Sequence, residues 1–198
     1  SIRMVEPGPI FSADKEGLAK LLGDMAGTEE ETDFHKDLDT RGCPVCDRMI
    51  RTAFRYYARW QNVLATRENA QHSFAVSLGF CPLHTWQFAP MASPQGLSQG
   101  YPALMERLSH DLSRIASSEA PDQAASILSL VQDSGHCRVC SLMRDSEENY
   151  LKGLAGFVQS LGGKEAYLSS HGVCLHHLGK LAAVIPSQEI VRSLIEHS

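Results

Sequence analysis

Two short stretches of the sequence, "RGCPVCDRM" at residues 41–49 and "HCRVCSLM" at residues 136–143, each contain a C-x-x-C pair. The other two cysteines each begin a C-x-x-H motif, in "GFCPLH" at 79–84 and "GVCLHH" at 172–177. A disulfide framework has no need of a histidine at a fixed spacing, whereas thiolates and imidazoles in this pattern are typical metal ligands. The six cysteines therefore predict metal binding in a reducing compartment, and we expect a cytoplasmic protein.

The two halves of the chain carry these motifs in the same order, with a shift of about 94 residues. Cys81 follows Cys43 by 38 residues, and Cys174 follows Cys137 by 37 residues. Self-similarity of this kind indicates an internal duplication. The segments we expect are an N-terminal helix and acidic connector over 1–39, a first repeat with one metal site over 40–118, and a second repeat with the other site over 119–198.

Apolar residues after the first C-x-x-C recur at helical spacing, and no segment shows the alternation typical of a strand. The members of this stripe are Ile50, Phe54, Tyr57, Gln61 and Leu64, widened by Ala53, Trp60 and Val63. The aromatic residues that we expect in the core are Phe54, Tyr57, Trp60 and Trp86. The pattern predicts an all-α fold of two pseudo-symmetric helical repeats, each organised by a Cys3His metal site.

A second helix over 67–78 should end at Gly79, which suits the left-handed position after a helix, with Phe80 folded back on the last turn. Gly172 and Val173 predict the same ending in the second repeat. Each C-x-x-H then begins the next short helix and would return to the C-x-x-C of its own repeat. The exchanged pairing, in which each C-x-x-C meets the C-x-x-H of the other repeat, stays open from the spacing alone.

Other segments also have helical patterns. Residues 12–26 form a candidate first helix with Ser12 as its N-cap, before the acidic connector at 29–39. Residues 101–115 place apolar side chains on one face, which suits the core or a contact with a partner. The tail at 188–196 is a candidate final helix.

Each repeat offers three thiolates and one imidazole, which is the donor set of a closed structural zinc site. The predicted ligands are Cys43, Cys46, Cys81, His84, Cys137, Cys140, Cys174 and His177. We expect two zinc ions. The alternative is two iron–sulfur clusters, because histidine can replace cysteine in such sites. Three thiolates give the same formal charge with Zn²⁺ as with a [4Fe–4S]²⁺ core, so charge does not distinguish the two cofactors.

Other cysteine chemistries fit these motifs less well. A thioredoxin-type pair needs a β-α-β setting, and a c-type haem needs a histidine directly after the C-x-x-C, where Asp47 and Ser141 stand. A cysteine nucleophile with a histidine base is an alternative at either C-x-x-H, but the two further thiols favour a metal. No catalytic constellation is visible in the sequence, so the chain leans away from being an enzyme.

The remaining histidines near the motifs have simpler interpretations. His176 adjoins His177, but only His177 has the spacing of His84, so we expect His176 at the surface or beside the site. His136 and His171 flank motif cysteines, and solvent exposure suits them better than a hydrogen bond to sulfur.

The overall composition excludes several classes of protein. The 198 residues are 43% hydrophobic and 21% charged, which is ordinary for a globular protein. No apolar run approaches the length of a membrane span. The net charge of −5 argues against a nucleic-acid-binding protein. A protein partner or a second copy of the chain is the expected ligand class.

The layout CPVC…GFCPLH…CRVC…GVCLHH resembles a bacterial family of duplicated, helical Cys/His proteins of unknown function. The resemblance covers roughly residues 40–185, and "GFCPLHTW" at 79–86 is its most specific part. The second repeat departs from it by lacking a proline at position 138 and a tryptophan after its C-x-x-H. The resemblance implies helices and paired metal sites, and it implies no activity.

The sequence thus predicts a structural zinc module that acts as a protein-interaction or scaffold subunit. Two alternatives to this prediction remain. The first is an iron–sulfur electron-transfer subunit of a redox enzyme. The second is a zinc and thiol redox sensor, in which oxidation ejects the metal.

Overall fold

A computed structural model describes residues 32–118, 122–131 and 135–197. These residues form ten helices, and no strand occurs within them. The predicted all-α fold class is therefore confirmed. The predicted helix at 12–26, with Ser12 as its N-cap, lies outside the described residues.

The helices are α1 (Phe34–Leu38), α2 (Pro44–Thr66), α3 (Glu68–Val76), α4 (Pro82–Phe88), α5 (Pro94–Ala116), α6 (Gln123–Leu128), α7 (Arg138–Phe157), α8 (Leu161–Leu168), α9 (Leu175–Val184) and α10 (Gln188–His197). The same order occurs twice along the chain. A long helix follows each C-x-x-C, a short helix comes next, and another short helix begins at each C-x-x-H.

The described residues belong to two compact units. The first unit contains the described part of Tyr56–Asp133. The second unit contains the described parts of Glu29–Arg55 and Ser134–Ser198.

An aromatic cluster forms the core of the first unit. Phe80 lies at its centre, with ring centroids 5.1 Å from Phe74, 5.5 Å from Phe88 and 6.0 Å from Tyr57. Trp60 is buried beside Phe74, with the ring centroids 6.2 Å apart. Burial of Tyr57 and Trp60 confirms their prediction as core residues.

Three other apolar residues of the sequence pattern lie outside the core. The expectation of a buried Trp86 is wrong, because 78% of this residue is exposed on the short helix α4. Phe54 is also wrongly placed in the core, and Ile50 shares its exposure of 51%. The buried face of α2 instead runs through Ala53 and Tyr57, so the apolar stripe is narrower than the pattern suggests.

The turn after α3 has a Schellman ending with an unusual residue in it. The backbone N–H of Gly79 donates to the carbonyl oxygen of Phe74 at 2.8 Å, and that of Leu78 donates to Ala75 at 3.1 Å. Leu78 therefore holds the first left-handed position, with a φ of 57°, and Gly79 follows with a φ of 75°. The prediction that Gly79 is left-handed is confirmed, but Leu78 takes the C′ position because the helix ends at Val76. Phe80 does fold back as expected.

A separate aliphatic core fills the second unit. Its fully buried members are Val45, Leu154, Val158, Tyr167, Leu181 and Leu194. Helix α7 packs against α9, and α8 packs against α10. The hydroxyl groups of Thr52 and Ser146 lie 3.0 Å apart.

Within the described ranges, no helix combines the length and the apolar character that crossing a membrane requires.

Candidate metal centres

Four of the predicted metal ligands converge within the second unit. These are Cys43, Cys46, Cys174 and His177, called group 1, and their ligand atoms all lie within 4.8 Å of one another. The other four candidate ligands, Cys81, His84, Cys137 and Cys140, are called group 2. Of the two pairings that the sequence leaves open, group 1 has the exchanged one.

In group 1, the imidazole faces all three sulfurs. The Nδ1 atom of His177 lies 3.3 Å from Sγ of Cys43, 3.4 Å from Sγ of Cys46 and 3.1 Å from Sγ of Cys174. The Sγ atoms of Cys46 and Cys174 are 3.9 Å apart. One imidazole nitrogen and three sulfurs therefore surround a common point.

Two helix beginnings carry the ligands of group 1. Cys43 directly precedes Pro44, the first residue of α2, and Cys46 lies one turn further on. Cys174 is the N-cap of α9, which places His177 in the first turn of that helix. The backbone N–H groups at a helix start favour a negative charge, so both positions suit thiolates.

The electrostatics of Cys174 follow from this position. Burial acts to raise the pKa of its thiol, but a hydrogen bond from the backbone of His177 and further bonds in the group lower it overall. Its thiolate form is thus stabilised before any cation is considered.

The Cys46 thiol behaves in the opposite way. Burial, together with the neighbouring thiols of Cys43 and Cys174, raises its pKa to about 12. Several negative charges at this spacing repel one another, and a bound cation would remove that repulsion. The donor set of group 1 therefore fits a metal ion.

The outer nitrogen of His177 contacts a buried acid. Its Nε2 atom lies 2.9 Å from Oε1 of Glu147, a side chain that is 9% exposed. Lys180 donates to the same oxygen at 2.6 Å. Burial acts to raise the pKa of Glu147, but the contacts with Lys180 and His177 lower it overall, so this carboxylate is ionised.

Sequence reasoning missed both Glu147 and Lys180. Lys180 lies three residues after His177, which places the two side chains on one face of α9. Glu147 lies on α7 and comes seven residues after Cys140, a spacing that repeats a helix face. Neither spacing is distinctive enough to indicate a role without the packing of α7 against α9.

The two halves of group 2 also lie at helix beginnings. Cys81 is the N-cap of α4, and its Sγ atom is 3.2 Å from Nδ1 of His84. Burial lowers the pKa of His84, which favours the neutral imidazole that a metal binds. Cys137 is the fully buried N-cap of α7, and Cys140 is half-buried one turn later.

The histidine next to group 1 has a different environment. The side chain of His176 is 69% exposed, and its Nε2 atom is 3.9 Å from the Glu147 carboxylate. Glu147, His176 and His177 form a third set of potential ligands. The Glu147 oxygen in that set already accepts a hydrogen bond from Lys180, so the set is a weaker candidate than group 1.

Comparison of the chain with models of known families, with curated proteins and with solved structures found no match.

Proposed function

We propose that the chain binds two zinc ions, one at each Cys/His group, and that it serves as a helical interaction or scaffold module. The role of zinc is structural, because three thiolates and one imidazole complete a tetrahedron and leave no open position for a substrate. The family resemblance, which implies paired metal sites, agrees with this proposal.

The distances in group 1 carry the proposal. Zinc–sulfur bonds of about 2.3 Å and zinc–nitrogen bonds of about 2.0–2.1 Å give tetrahedral edges of about 3.8 Å between sulfurs and about 3.6 Å between sulfur and nitrogen. The observed separations are 3.9 Å for the sulfurs of Cys46 and Cys174, and 3.1–3.4 Å from the imidazole to the three sulfurs. These values support a single ion.

An iron–sulfur cluster requires a wider arrangement. Each ligand of a four-iron cluster binds a different iron atom, so the ligand atoms are separated by the body of the cluster. In group 1 the ligand atoms lie within 4.8 Å of one another. This closeness supports zinc over the iron–sulfur alternative.

A structural metal suits helices as short as these. The helices that begin at the two C-x-x-H motifs contain seven and ten residues. Helices of this length depend on tertiary contacts for their stability. Metal binding would then contribute directly to the free energy of folding.

The interaction role is supported by apolar side chains on α4. Leu83 and Trp86 are 63% and 78% exposed, and they lie three residues apart on this helix. Large exposed apolar side chains of this kind are typical of contact surfaces. A cytoplasmic location forms part of the proposal, because all six cysteines are free thiols.

The test is a metal analysis of the protein purified without oxygen. We expect about two zinc ions per chain, no acid-labile sulfide and no visible colour. Brown protein that contains iron and sulfide would instead assign the chain to electron transfer. Chains without bound metal, even after reconstitution with zinc under reducing conditions, would contradict the proposal as a whole.

A redox sensor is the second candidate, and the exposure of group 1 favours it. Its three cysteines are only half-buried, whereas Cys81 and Cys137 of group 2 are buried. Zinc-bound thiolates that are open to solvent react with peroxide. If the protein is a sensor, dilute peroxide should release zinc and a thiol reductant should restore binding; a scaffold should keep its zinc under the same treatment.

A further inference from the structure

We infer that Glu147 is a positioning residue for the metal site at group 1, which holds His177 in the tautomer that directs its Nδ1 atom at the three sulfurs. This inference rests on the proposed binding of zinc at that group. Glu147 acts through the imidazole, whose Nε2 atom its carboxylate contacts at 2.9 Å.

The hydrogen-bonding pattern determines the tautomer. An ionised carboxylate only accepts hydrogen bonds, so the proton between Glu147 and His177 must be on Nε2 of the imidazole. A neutral imidazole then carries its free lone pair on Nδ1. Nδ1 is the atom that lies 3.1–3.4 Å from the three sulfurs. The carboxylate therefore fixes the donor atom toward the metal.

Lys180 is the second partner of this carboxylate. Its ammonium group donates at 2.6 Å to Oε1 of Glu147, the same oxygen that faces His177. An ammonium donor at this distance forms a charge-assisted hydrogen bond to the carboxylate and fixes the position of its oxygen. One oxygen thus connects two residues of α9 to α7.

The charge of the assembly is also balanced by Lys180. Three thiolates and one zinc ion carry a net charge of about −1. Glu147 adds a second negative charge within one imidazole ring of the metal, and Lys180 cancels it. An acid that supports a metal-bound histidine in this way commonly changes metal affinity by about 10–100-fold.

The test compares Glu147→Ala with Glu147→Gln in the full chain. Zinc affinity is measured by competition with a chromophoric chelator, and the His177 tautomer is read from the two-bond hydrogen–nitrogen NMR spectrum. We expect Glu147→Ala to weaken one of the two zinc ions by about 10–100-fold. We expect Glu147→Gln to weaken it less, because the amide oxygen still accepts the Nε2 proton.

The matched control is Glu148→Ala, which removes the adjacent acid. Glu148 is exposed and pairs with Lys152 at 2.6 Å on the solvent side of α7, so this change should leave both zinc affinities unaltered. If Glu147→Ala fails to fold, Glu147→Leu decides the question, because it keeps most of the buried volume and cannot accept the Nε2 proton.

The outcomes separate this inference from the metal proposal. A wild-type chain that takes up no zinc would overturn both. A wild-type chain with two zinc ions, together with an unchanged affinity and His177 spectrum in both Glu147 variants, would overturn the role of Glu147 alone.

Discussion

The two C-x-x-H histidines are equally buried, yet their surroundings differ. His177 and His84 are each 3% exposed. His177 contacts the ionised pair of Glu147 and Lys180. His84 lies beside the aromatic ring of Tyr57, with the ring centroids 6.5 Å apart. The same ligand motif is therefore supported by charges in one place and by an aromatic core in the other.

The predicted duplication aligns these surroundings residue by residue. Ala53 occupies the position equivalent to Glu147, and Gln87 occupies the one equivalent to Lys180. Gln87 accepts a hydrogen bond from the Tyr57 hydroxyl at 3.3 Å, and that hydroxyl also lies 3.4 Å from the backbone oxygen of His84. The comparison teaches that the two segments share their ligand motifs and helix order but differ in what supports the histidine.

The largest effect on metal content and stability should come from removing the thiol of either C-x-x-H motif. Cys174→Ser and Cys81→Ser should each lose one of the two zinc ions, because a Cys3His site needs all four ligands. We expect the melting temperature to fall by about 10 °C or more in both variants. Elemental analysis and thermal melts measure the result. A variant that keeps both zinc ions and its melting temperature would remove that cysteine from the ligand set.

Truncating the residue that precedes each of these cysteines should show how much the core of each unit contributes to stability. Phe80→Ala removes the centre of the aromatic cluster and should cost about 3–5 kcal/mol of the free energy of unfolding. Val173→Ala, the equivalent change, removes a smaller buried side chain and should cost about 1–2 kcal/mol. Urea unfolding of zinc-saturated protein measures both values. Equal losses would show that the aromatic cluster gives the first unit no additional stability.

Replacing Lys180 by a neutral residue should make the surroundings of His177 resemble those of His84. Lys180→Gln introduces the residue found at the equivalent position and leaves the buried Glu147 without its cation. We expect a loss of about 1–2 kcal/mol of stability, because a hydrogen bond to a charged group is removed. Gln87→Met, the control in the other repeat, should leave the zinc content unchanged. Calorimetry measures the melting of both variants against wild type. A Lys180→Gln melt identical to that of wild type would show that Lys180 does not stabilise the site.

The smallest effect concerns a buried acid away from both groups. Asp111 on α5 is 3% exposed and accepts from Arg107 at 2.6 Å, which lowers its pKa below the usual value. A lowered folded-state pKa contributes stability that is present above the unfolded pKa and is lost as the pH falls through the folded one. Asp111→Asn should therefore cost on the order of 1 kcal/mol at pH 7, and this difference should shrink below about pH 4.

Unfolding measured at both pH values tests the assignment. A difference between wild type and Asp111→Asn that stays constant down to pH 3 would show that the ion pair contributes nothing. Comparing each variant with wild type at the same pH removes the effect of acid on the metal ligands.

The local features of the fold were accessible from sequence because they depend on neighbours in the chain. Helix α10 matches the predicted tail at 188–196 within one or two residues, and Cys81 and Cys174 begin helices as expected. The exposure of Trp86 was not predictable in the same way. A short helix such as α4 shows too few turns for its periodicity to identify the buried face.

The long-range features of the site were inaccessible for a physical reason. Spacing along the chain limits which ligands can meet, but it allowed both pairings of the motifs. The contact between Glu147 and His177 depends on how α7 packs against α9, and that packing is decided by the aliphatic core of the second unit. A carboxylate on a long amphipathic helix has the sequence signature of an ordinary surface residue.

The exchanged pairing has a consequence for the order of events during synthesis. Cys43 and His177 are separated by 134 residues, so 134 further residues must be synthesised before the first C-x-x-C has its imidazole partner. Closing so long a loop costs about 4 kcal/mol of chain entropy, roughly 1 kcal/mol more than pairing within a repeat. A metal ion at group 1 would therefore find its full set of ligands only after His177 has been synthesised and this loop has closed.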